Sequence, residues 1–313
     1  MKKISFIIPV FNEAGGLEKL YQEIKASFSS LENFKFEIIF VDDGSEDNSL
    51  EVIKNLRTRD YRIEIISFRK NLGKSVALSE GFRKSTGDIV VTLDGDLQDD
   101  PVNVKNLIAK MDEGFDMVVG WKKDRQDLLS KTISSKIFNF FVRTFSRIPL
   151  HDINSGLKIM TKEVAKDLYL YGGLHRFIPV LAFQRGFKVS EIPVIHHPRQ
   201  FGNSKYGAER IIRGFLDFLA VNFIGAYGQR PLQFFGLLGS ASILIGLIFG
   251  IYLSILHFLG EKIGDRPLLT FAVLLIITGL QLLSIGFLAE MLIRKGKMID
   301  EKIPIEYETI KRK

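Results

Sequence analysis

The sequence contains no cysteine, which excludes disulfide bonds and thiolate chemistry and gives no sign of an oxidising compartment. No basic start followed by a short apolar segment and a small-residue cleavage site opens the chain, so we expect no cleaved signal peptide. Internal repeats and low-complexity stretches are also absent from the sequence. These absences leave the class of protein to be decided by charge, hydropathy and motifs.

Two nucleotide-binding motifs are missing as well. Gly73-Lys74-Ser75 looks like the end of a phosphate-binding loop, but Phe68 stands where this loop needs a glycine five residues before Gly73. No G-x-G-x-x-G follows the first predicted strand, which disfavours a nicotinamide-dependent enzyme.

The length of 313 residues suggests two domains. A net charge of +7 and a pI near 9.3 favour an anionic partner such as nucleic acid, a phosphate-bearing substrate or an anionic membrane surface. The 26 phenylalanines and a mean hydropathy of +0.12 favour the membrane, and we expect no nucleic-acid partner.

Short apolar segments alternate with amphipathic ones over the first 120 residues. The predicted strands cover residues 4–10, 36–41, 63–68, 89–93 and 115–120. The predicted helices cover residues 14–29, 72–84 and 101–113, the last with Pro101 at its first position, and another helix follows Ser45. This alternation predicts an open, mostly parallel α/β sheet, in which ligands bind at the carboxyl ends of the strands.

Polar residues follow three of these strands, at the point where each strand ends. They are Asn12-Glu13, Asp42-Asp43, and Asp94 with Asp96. Because the carboxyl ends of parallel strands meet at one edge of a sheet, we expect these side chains to share one crevice.

The acidic pair after the strand at 89–93 predicts a metal site. Side chains at positions i and i+2 of an extended chain point to the same side, which would bring Asp94 and Asp96 together. One or two carboxylate ligands suit Mg²⁺ or Mn²⁺. Substrate phosphates would complete the coordination shell of the metal, and Gln98 would add a carbonyl oxygen. The alternative is a solvated acidic turn.

Three motifs in series carry a resemblance to a known family: IIPVFNE at residues 7–13, VDDGSED at 41–47 and LDGDLQDDP at 93–101. With further matching segments at 150–160, 174–194 and 196–207, the chain resembles an inverting family 2 glycosyltransferase with a GT-A fold. Within that family it is most similar to the polyprenyl- or dolichyl-phosphate sugar synthases. The resemblance covers about residues 3–207. It implies inverting transfer of one sugar from a UDP- or GDP-linked donor to a polyprenyl phosphate.

The resemblance implies that the base and ribose of the donor are cradled by Pro9, Phe11, Glu13, Asp42 and Asp43. Carboxylates accept hydrogen bonds from base N–H and ribose O–H groups, whereas Phe11 lacks the phenol that many relatives carry there. The alternative for residues 43–45 is a turn in which Ser45 caps the next helix, which still leaves Asp42 for a ligand.

The resemblance also implies that Asp94, Asp96 and Gln98 hold a metal that bridges the donor diphosphate. Arg199 and Lys205, in one loop with a glycine between them, would hold the donor phosphates. Asp94, Asp96 and Arg199 are therefore the expected catalytic residues. The alternative for this loop is a basic surface near a membrane.

For the acceptor phosphate the resemblance implies Lys122, Arg125 and Ser155. Lys122 stands where many relatives carry arginine, so Arg125 is expected to compensate for the missing bidentate contact. Because a lipid monophosphate is already ionised near neutral pH, transfer needs little help from a general base. The sequence shows no convincing histidine–carboxylate pair, which agrees with this chemistry.

Three other functions stay open. A processive polysaccharide synthase would carry Q-x-x-R-W and more spans, whereas this chain has Gln184-Arg185-Gly186 and two apolar segments. A transferase to a glycolipid, protein or polysaccharide hydroxyl would need a base near His151 or Asp152. A non-catalytic membrane scaffold would be expected to lose Asp94 and Asp96, and both are present.

Two segments without charged residues, 233–259 and 268–289, each exceed the roughly 20 residues that cross a bilayer. The charges of the connecting loop at 260–267 cancel, and basic residues flank the pair at Arg230 and at 294–297. The positive-inside rule therefore places both ends, and with them the catalytic domain, in the cytoplasm. We expect an integral protein of the inner or plasma membrane of a prokaryote.

The expected organisation is a GT-A catalytic domain at residues 1–207, a juxtamembrane amphipathic helix at 208–230 and two transmembrane helices within 231–294. These helices cover about 233–259 and 268–290, and a cytoplasmic tail follows at 295–313. Apolar stripes at 131–147 and 209–223 suit either a membrane surface or the core of the catalytic domain. Glycines along both spans allow close helix packing or contacts between copies, so a homo-oligomer stays open.

Overall fold

The computed structural model describes residues 1–28, 34–123, 146, 148–198, 209–228 and 230–300. The chain divides into two compact units, Met1–Asn222 and Phe223–Lys313.

A seven-stranded sheet, counted over the described residues, forms the centre of the first unit, in the order β3-β2-β1-β4-β6-β5-β7. The strands are β1 (Lys2–Val10), β2 (Phe34–Asp42), β3 (Ile63–Ser67), β4 (Ile89–Thr92), β5 (Met117–Trp121), β6 (Lys158–Thr161) and β7 (Val189–Pro193). Strands β1 to β4 are parallel to their neighbours in that half of the sheet. Strand β6 is antiparallel to both β4 and β5, and β5 is parallel to β7. The prediction of a mostly parallel α/β sheet is confirmed.

Helices cover both faces of this sheet. In the first unit they are α1 (Leu17–Phe28), α2 (Ser49–Arg59), α3 (Lys74–Lys84), α4 (Asn103–Met111), α5 (Lys162–Asp167) and α6 (Ile178–Gln184), with a 3₁₀ turn at Leu174–Phe177. Helix α7 (Glu209–Tyr227) runs across the boundary between the units.

The core of the first unit has two layers, one on each face of the sheet. Strand β1 shows why: Phe6 and Ile8 lie in one hydrophobic cluster, and Ile7 lies in the other. Successive side chains of a strand point to opposite faces, so a continuous apolar run is buried on both sides. Phe218 and Val221 of α7 are buried in the second layer.

Several predicted boundaries are corrected by the structure. Helix α4 begins at Asn103, and Pro101 lies in the preceding turn rather than at the first helical position. Helix α2 begins at Ser49, so Ser45 does not cap it; the Ser45 hydroxyl accepts a hydrogen bond from the main-chain N–H of Asn12 at 3.0 Å. Strands β6 and β7 were not predicted.

The second unit contains two long apolar helices, α8 (Pro231–Phe258) and α9 (Pro267–Asp300). An 18-residue stretch within residues 231–258 has a mean hydropathy of 2.2, and one within residues 267–293 has a mean hydropathy of 2.4. The main chains approach closely, because a Cβ at Gly239 would lie 2.7 Å from the carbonyl oxygen of Gly279. Two helices of this length and composition agree with the predicted transmembrane hairpin.

Candidate active site

The polar residues predicted from the sequence lie at one edge of the sheet. The carboxyl ends of β1, β2 and β4 meet there, and β6 begins there because it runs in the opposite direction. Lys158, the first residue of β6, stands opposite Thr92 of β4 and Val119 of β5.

The segment after β1 is fixed to the segment after β2 by short polar contacts. Asn12 adopts a left-handed conformation with φ of 59°, and its side-chain oxygen accepts a hydrogen bond from the N–H of Glu46 at 2.8 Å. The N–H of Glu13 donates to Ser49 Oγ at 3.0 Å. Pro9 and Phe11 on either side of Val10 are half-buried. This arrangement holds residues 9–13 rigidly beside the end of β2.

Asp42 and Asp43 are both buried and both accept hydrogen bonds from their own protein. Asp42 accepts from the N–H of Ser45 at 3.2 Å and from the Ser67 hydroxyl at 2.9 Å. The expectation that Asp42 is left over for a ligand is therefore only partly met, since each of its oxygens retains one further lone pair.

Asp43 accepts from the N–H groups of Leu72 at 2.7 Å and Gly73 at 3.0 Å. Burial raises the pKa of the Asp43 carboxyl, an effect that the two amides oppose and the nearby Asp42 charge reinforces. Gly73, the first residue of the triplet Gly73-Lys74-Ser75, is thus fixed to the end of β2 through Asp43.

The acidic pair Asp94 and Asp96 lies in a turn rather than on an extended strand, because β4 ends at Thr92. Asp94 Oδ1 accepts from Lys74 Nζ at 2.5 Å, and Asp96 Oδ1 accepts from the N–H of Gln98 at 3.3 Å. Burial raises the pKa of Asp94, but the ammonium of Lys74 outweighs this and holds it below its usual range. Asp94 is therefore charged at neutral pH.

Gly156 sits against two carboxylates of this edge. A Cβ at Gly156 would lie 2.5 Å from Asp99 Oδ2 and 2.7 Å from Asp94 Oδ2. The carbonyl of Gly156 accepts a hydrogen bond from Thr92 Oγ1 at 2.8 Å, which fixes the turn before β6 to β4. Only a residue without a side chain fits between these carboxylates.

The donor set of this edge suits a hard divalent cation. Asp94 and Asp96 supply carboxylate oxygens, and the buried Asp99 Oδ2 has no hydrogen-bond partner in the part of the chain that the structure describes. The main-chain carbonyl of Gln98 accepts from the N–H of His197 at 2.8 Å, which leaves its side-chain amide as the ligand group. No three Asp, Glu or His side chains converge within the described ranges, so substrate oxygens would complete the shell.

Lys122, which follows β5, is paired with a carboxylate. Its Nζ lies 2.9 Å from Asp99 Oδ1, and its side chain is 12% exposed. Burial lowers the pKa of Lys122, but the charge of Asp99 outweighs this and raises it above its usual value. The Nδ1 atom of His196 lies 3.5 Å from the same oxygen. A phosphate that binds Lys122 therefore competes with Asp99.

His151 forms a pair that the sequence did not reveal. Its Nδ1 bonds to Glu191 of β7, and the N–H of His151 donates to Glu191 Oε2 at 2.8 Å. The imidazole stacks on Trp121 with ring centroids 4.4 Å apart. The statement that no histidine–carboxylate pair is present is corrected, because 40 residues of sequence separate these partners.

Two further polar residues, Ser155 and Lys158, are buried near this edge. Ser155, an expected phosphate ligand, is buried, and its hydroxyl has no hydrogen-bond partner among the described residues. Lys158 was not predicted as a site residue; its Nζ donates to the carbonyl of Ser155. A single lysine in the short run LKIM carries no pattern by which sequence reasoning could have selected it.

Three predicted residues lie outside the described residues: Arg125, Arg199 and Lys205. Their roles stay predictions. The neighbouring segment is placed by an isolated bridge between Asp99 and His196, which sets the chain before residue 199 beside the acidic turn.

Comparison with known proteins gives consistent relatives. The model of the glycosyl transferase family 2 matches residues 5–169. A dodecaprenyl-phosphate galacturonate synthase of Rhizobium johnstonii is 34% identical over 93% of this chain and 88% of its own length. An undecaprenyl-phosphate 4-deoxy-4-formamido-L-arabinose transferase of Salmonella paratyphi A is 33% identical over the same shares.

Solved structures share the fold. Glucosyl-3-phosphoglycerate synthase from Mycobacterium tuberculosis with Mn²⁺, UDP and phosphoglyceric acid has a TM-score of 0.54 at 18% identity, covering 72% of this chain and 78% of its own. The mannosyltransferase PcManGT from Pyrobaculum calidifontis with GDP-Man and Mn²⁺ has a TM-score of 0.52 at 15% identity, covering 95% and 80%. These likenesses confirm the predicted GT-A fold.

Proposed function

Since the chain belongs to the glycosyl transferase family 2, we propose that it transfers one sugar from a nucleoside diphosphate to a polyprenyl phosphate on the cytoplasmic side of a membrane. Relatives that match 93% of the chain are named for galacturonate and 4-deoxy-4-formamido-L-arabinose on such lipid phosphates. The observation that carries the proposal is that Asp94 and Asp99 both lie against Gly156, which would bring a donor at Asp94 close to Lys122, the partner of Asp99.

The donor would bind along the ends of β1 and β2. Asp42 and Asp43 are preorganised there by main-chain amides, so their free lone pairs are aimed before a nucleotide arrives. Pro9, Phe11 and Glu13 would form the other wall, and Arg199 and Lys205 would reach the phosphates. Preorganised acceptors bind base and ribose without a cost of reorganisation at the moment of binding.

Asp94 and Asp96 would hold Mg²⁺ or Mn²⁺, with Gln98 as a further oxygen ligand, and the bound ion would neutralise charge on the departing nucleotide. The chain's own contribution is to keep these carboxylates ionised and in place. Lys74 does so for Asp94 through the bond of 2.5 Å. Two Mn²⁺-bound structures of the same fold support the choice of metal.

The acceptor phosphate would bind between Lys122, Ser155 and Arg125. Its oxygen is ionised near neutral pH, so it attacks the anomeric carbon of the sugar directly. The bond between that carbon and the diphosphate breaks as the new carbon–oxygen bond forms, and a single displacement inverts the anomeric centre. The protein accelerates this step by alignment and by charge stabilisation.

A second candidate is transfer to a hydroxyl group, which the His151–Glu191 pair favours. A hydroxyl nucleophile needs a base, and an imidazole held by a carboxylate is suited to that task. The named relatives favour the phosphate acceptor instead. Removal of the imidazole separates the two functions, because only transfer to a hydroxyl needs a base.

The topology is testable because the chain has no cysteine of its own. We expect Lys262→Cys, in the exposed loop between the two apolar helices, to react with an impermeant maleimide from outside the cytoplasm. Labelling from the cytoplasmic side alone would reverse the proposed orientation.

The function is tested with purified full-length protein in lipid nanodiscs. Undecaprenyl phosphate and a panel of radiolabelled UDP- and GDP-sugars, UDP-galacturonate included, are supplied with Mg²⁺ or Mn²⁺ or with EDTA. We expect labelled lipid from one donor in the presence of metal only. Asp96→Ala should lower the rate by at least about 10³-fold, whereas Asp112→Ala, an exposed carboxylate paired with Lys2 at 3.7 Å, should leave it unchanged.

Nucleotide release without labelled lipid would contradict the phosphate acceptor. Full activity of Asp96→Ala, or of the wild type in EDTA, would contradict the metal site. No turnover with any donor despite nucleotide binding would favour the scaffold alternative.

A further inference from the structure

We propose that Lys158 is a positioning residue, which holds the turn at residues 152–156 so that the acceptor phosphate faces the donor in line. This inference rests on the proposed function, because it assigns a role within the same reaction.

Lys158 occupies the point where the two halves of the sheet join. It is the first residue of β6, the strand that is antiparallel to β4 on one side and to β5 on the other. Its neighbours Leu157 and Ile159 are buried in one hydrophobic layer, which places the Lys158 side chain on the opposite face. The side chain therefore lies under the turn that precedes β6, and only 4% of the residue is exposed.

The ammonium group of Lys158 makes few hydrogen bonds for a group that is almost fully buried. It has three N–H donors, and within the described ranges its hydrogen bond goes to the main-chain carbonyl of Ser155. Burial lowers its pKa to about 8; the nearby charge of Lys74 acts in the same direction, and the carboxylates of Asp94, Asp99 and Asp152 oppose both. The group is thus mostly charged at neutral pH, next to the reaction edge.

A buried ammonium is a costly way to fill space. Moving such a charge out of water is unfavourable even after relaxation, and an apolar side chain of similar volume would pack at lower cost. Met160, two residues on and on the same face, shows that this layer accepts an unbranched apolar side chain. The lysine at position 158 is therefore explained by the hydrogen bond that it donates to the Ser155 carbonyl.

The turn at 152–156 is fixed at three points. Its start is held by Glu191, which accepts from the N–H of Asp152 at 3.2 Å. Its end is held by Thr92, which donates to the carbonyl of Gly156. Lys158 holds the middle, at Ser155, whose buried hydroxyl is an expected phosphate ligand. Without the middle contact, Ser155 would lose its fixed position relative to Asp94 and Asp99.

The single tryptophan gives a readout of this turn that does not depend on turnover. Trp121 stacks on His151, which immediately precedes the turn. If Lys158 fixes the turn, its loss should loosen this stack. Acrylamide would then quench the emission of Trp121 more strongly than in the wild type.

The experiment compares four full-length proteins in nanodiscs: wild type, Lys158→Met, Lys158→Gln and Lys166→Met. The Lys166→Met variant is the matched control for Lys158→Met. Lys166 of α5 also donates to main-chain carbonyls, those of Phe82, Arg83 and Ser85 at the end of α3, and it follows the end of β6 that is opposite to the reaction edge. Gln at position 158 keeps an N–H donor for Ser155 while removing the charge, although it reaches one bond less far. Kinetics are measured with undecaprenyl phosphate and the donor that the wild type accepts.

We expect Lys158→Met to lower kcat about 100-fold, the scale of a misplacement of about 1 Å, with the KM for the donor unchanged. Its Trp121 should be quenched more strongly. Lys158→Gln should recover kcat to within about tenfold of the wild type and restore quenching, because the hydrogen bond rather than the charge positions the turn. Lys166→Met should change thermal stability alone.

Wild-type kcat in Lys158→Met would overturn the proposal, and so would a lower kcat with unchanged quenching of Trp121. If Lys158→Met does not fold, the Lys158→Gln variant tests the proposal. If acrylamide quenches its Trp121 as in the wild type but kcat is about 100-fold lower, the positioning role of Lys158 is contradicted. If quenching is as in the wild type and kcat lies within about tenfold, the positioning role is supported. An inactive wild type would count against the proposed function instead, and the quenching comparison would still test the role of Lys158.

Discussion

The two halves of the sheet hold their polar groups in different ways. In the half formed by β3, β2, β1 and β4, the acids Asp42 and Asp43 are held by main-chain N–H groups and by a hydroxyl. In the half formed by β6, β5 and β7, the groups are paired charges and buried atoms with few partners, such as Lys122 with Asp99 and the hydroxyl of Ser155. A ligand in the first half would meet acids that are already held in place, whereas a phosphate in the second half would compete with Asp99 for Lys122.

This difference follows from the direction of the strands. Parallel strands place turn amides and helix beginnings at the carboxyl edge, and these amides satisfy carboxylates. The antiparallel strand β6 brings its first residue to the same edge, and with it the turn at 152–156. The difference predicts that substitutions in the first half affect the donor, that those in the second affect the acceptor, and that those at the junction affect the rate.

Gly156→Ala should have the largest effect, because it changes the junction. The added methyl would lie within 2.7 Å of oxygens of both Asp94 and Asp99 and would force one carboxylate away. We expect kcat to fall about 100-fold. As a control, Gly250→Ala places its methyl in open space within α8 and should leave the rate unchanged. Equal rates for Gly156→Ala and wild type would show that the two halves do not meet at Gly156 during the reaction.

Asp43→Ala should have the next largest effect and should be confined to the donor. It leaves the N–H groups of Leu72 and Gly73 without their acceptor and removes a carboxylate from the nucleotide side. We expect the KM for the donor to rise about tenfold, corresponding to the loss of one hydrogen bond to a charged group, with the KM for the lipid unchanged. A rise of the same size in the KM for the lipid would contradict the proposal that the first half of the sheet binds the donor and the second half binds the acceptor.

His151→Ala tests the second half and the nature of the acceptor. An ionised phosphate needs no base, so we expect kcat to change by less than about threefold when the imidazole is removed. Transfer to a hydroxyl would instead lose about 100-fold or more, together with the acidic limb of its pH profile. Steady-state rates of wild type and His151→Ala with undecaprenyl phosphate as acceptor separate these outcomes.

The smallest effect on activity should come from Asp60→Asn, a charge of the first half away from the edge. Hydrogen bonds from Arg62 lower the pKa of Asp60 from 3.8 to about 2. The ionised carboxylate therefore stabilises the fold fully above pH 4, and this contribution is lost as the pH falls through about 2. We expect the variant to lose about 2 kcal/mol of unfolding free energy at pH 7 and to keep wild-type kcat.

Thermal unfolding at several pH values checks this last expectation. The difference in Tm between wild type and Asp60→Asn should shrink as the pH falls from about 4 toward about 2. A difference that is constant with pH would show that packing, rather than charge, accounts for the stability.

The first half of the molecule was predictable from the sequence because its signals are local. Two apolar segments of strand length are each followed by an aspartate, Asp42 in one case and Asp94 in the other. That pattern predicts both the strands and the edge of the sheet at which they end. The family motifs added the fold and the class of reaction. The positions of Asp42, Asp43, Asp94 and Asp96 at one edge follow from strand direction alone.

The second half was less predictable because its partners are far apart in sequence. Glu191 of β7 meets His151 across 40 residues of sequence. Strand β6 is four residues long and begins with a charge, so no apolar alternation marks it. Tertiary pairing, rather than local preference, determines these contacts.

The structure of the product tests the proposed transfer to phosphate most directly. Lipid formed by the purified protein from undecaprenyl phosphate and its donor is analysed by ³¹P and ¹H nuclear magnetic resonance. We expect a phosphodiester phosphorus that carries one sugar, with the anomeric configuration opposite to that of the donor. A product whose phosphorus is still a monoester, with the sugar on a hydroxyl group, would contradict it, and so would retention of the donor configuration.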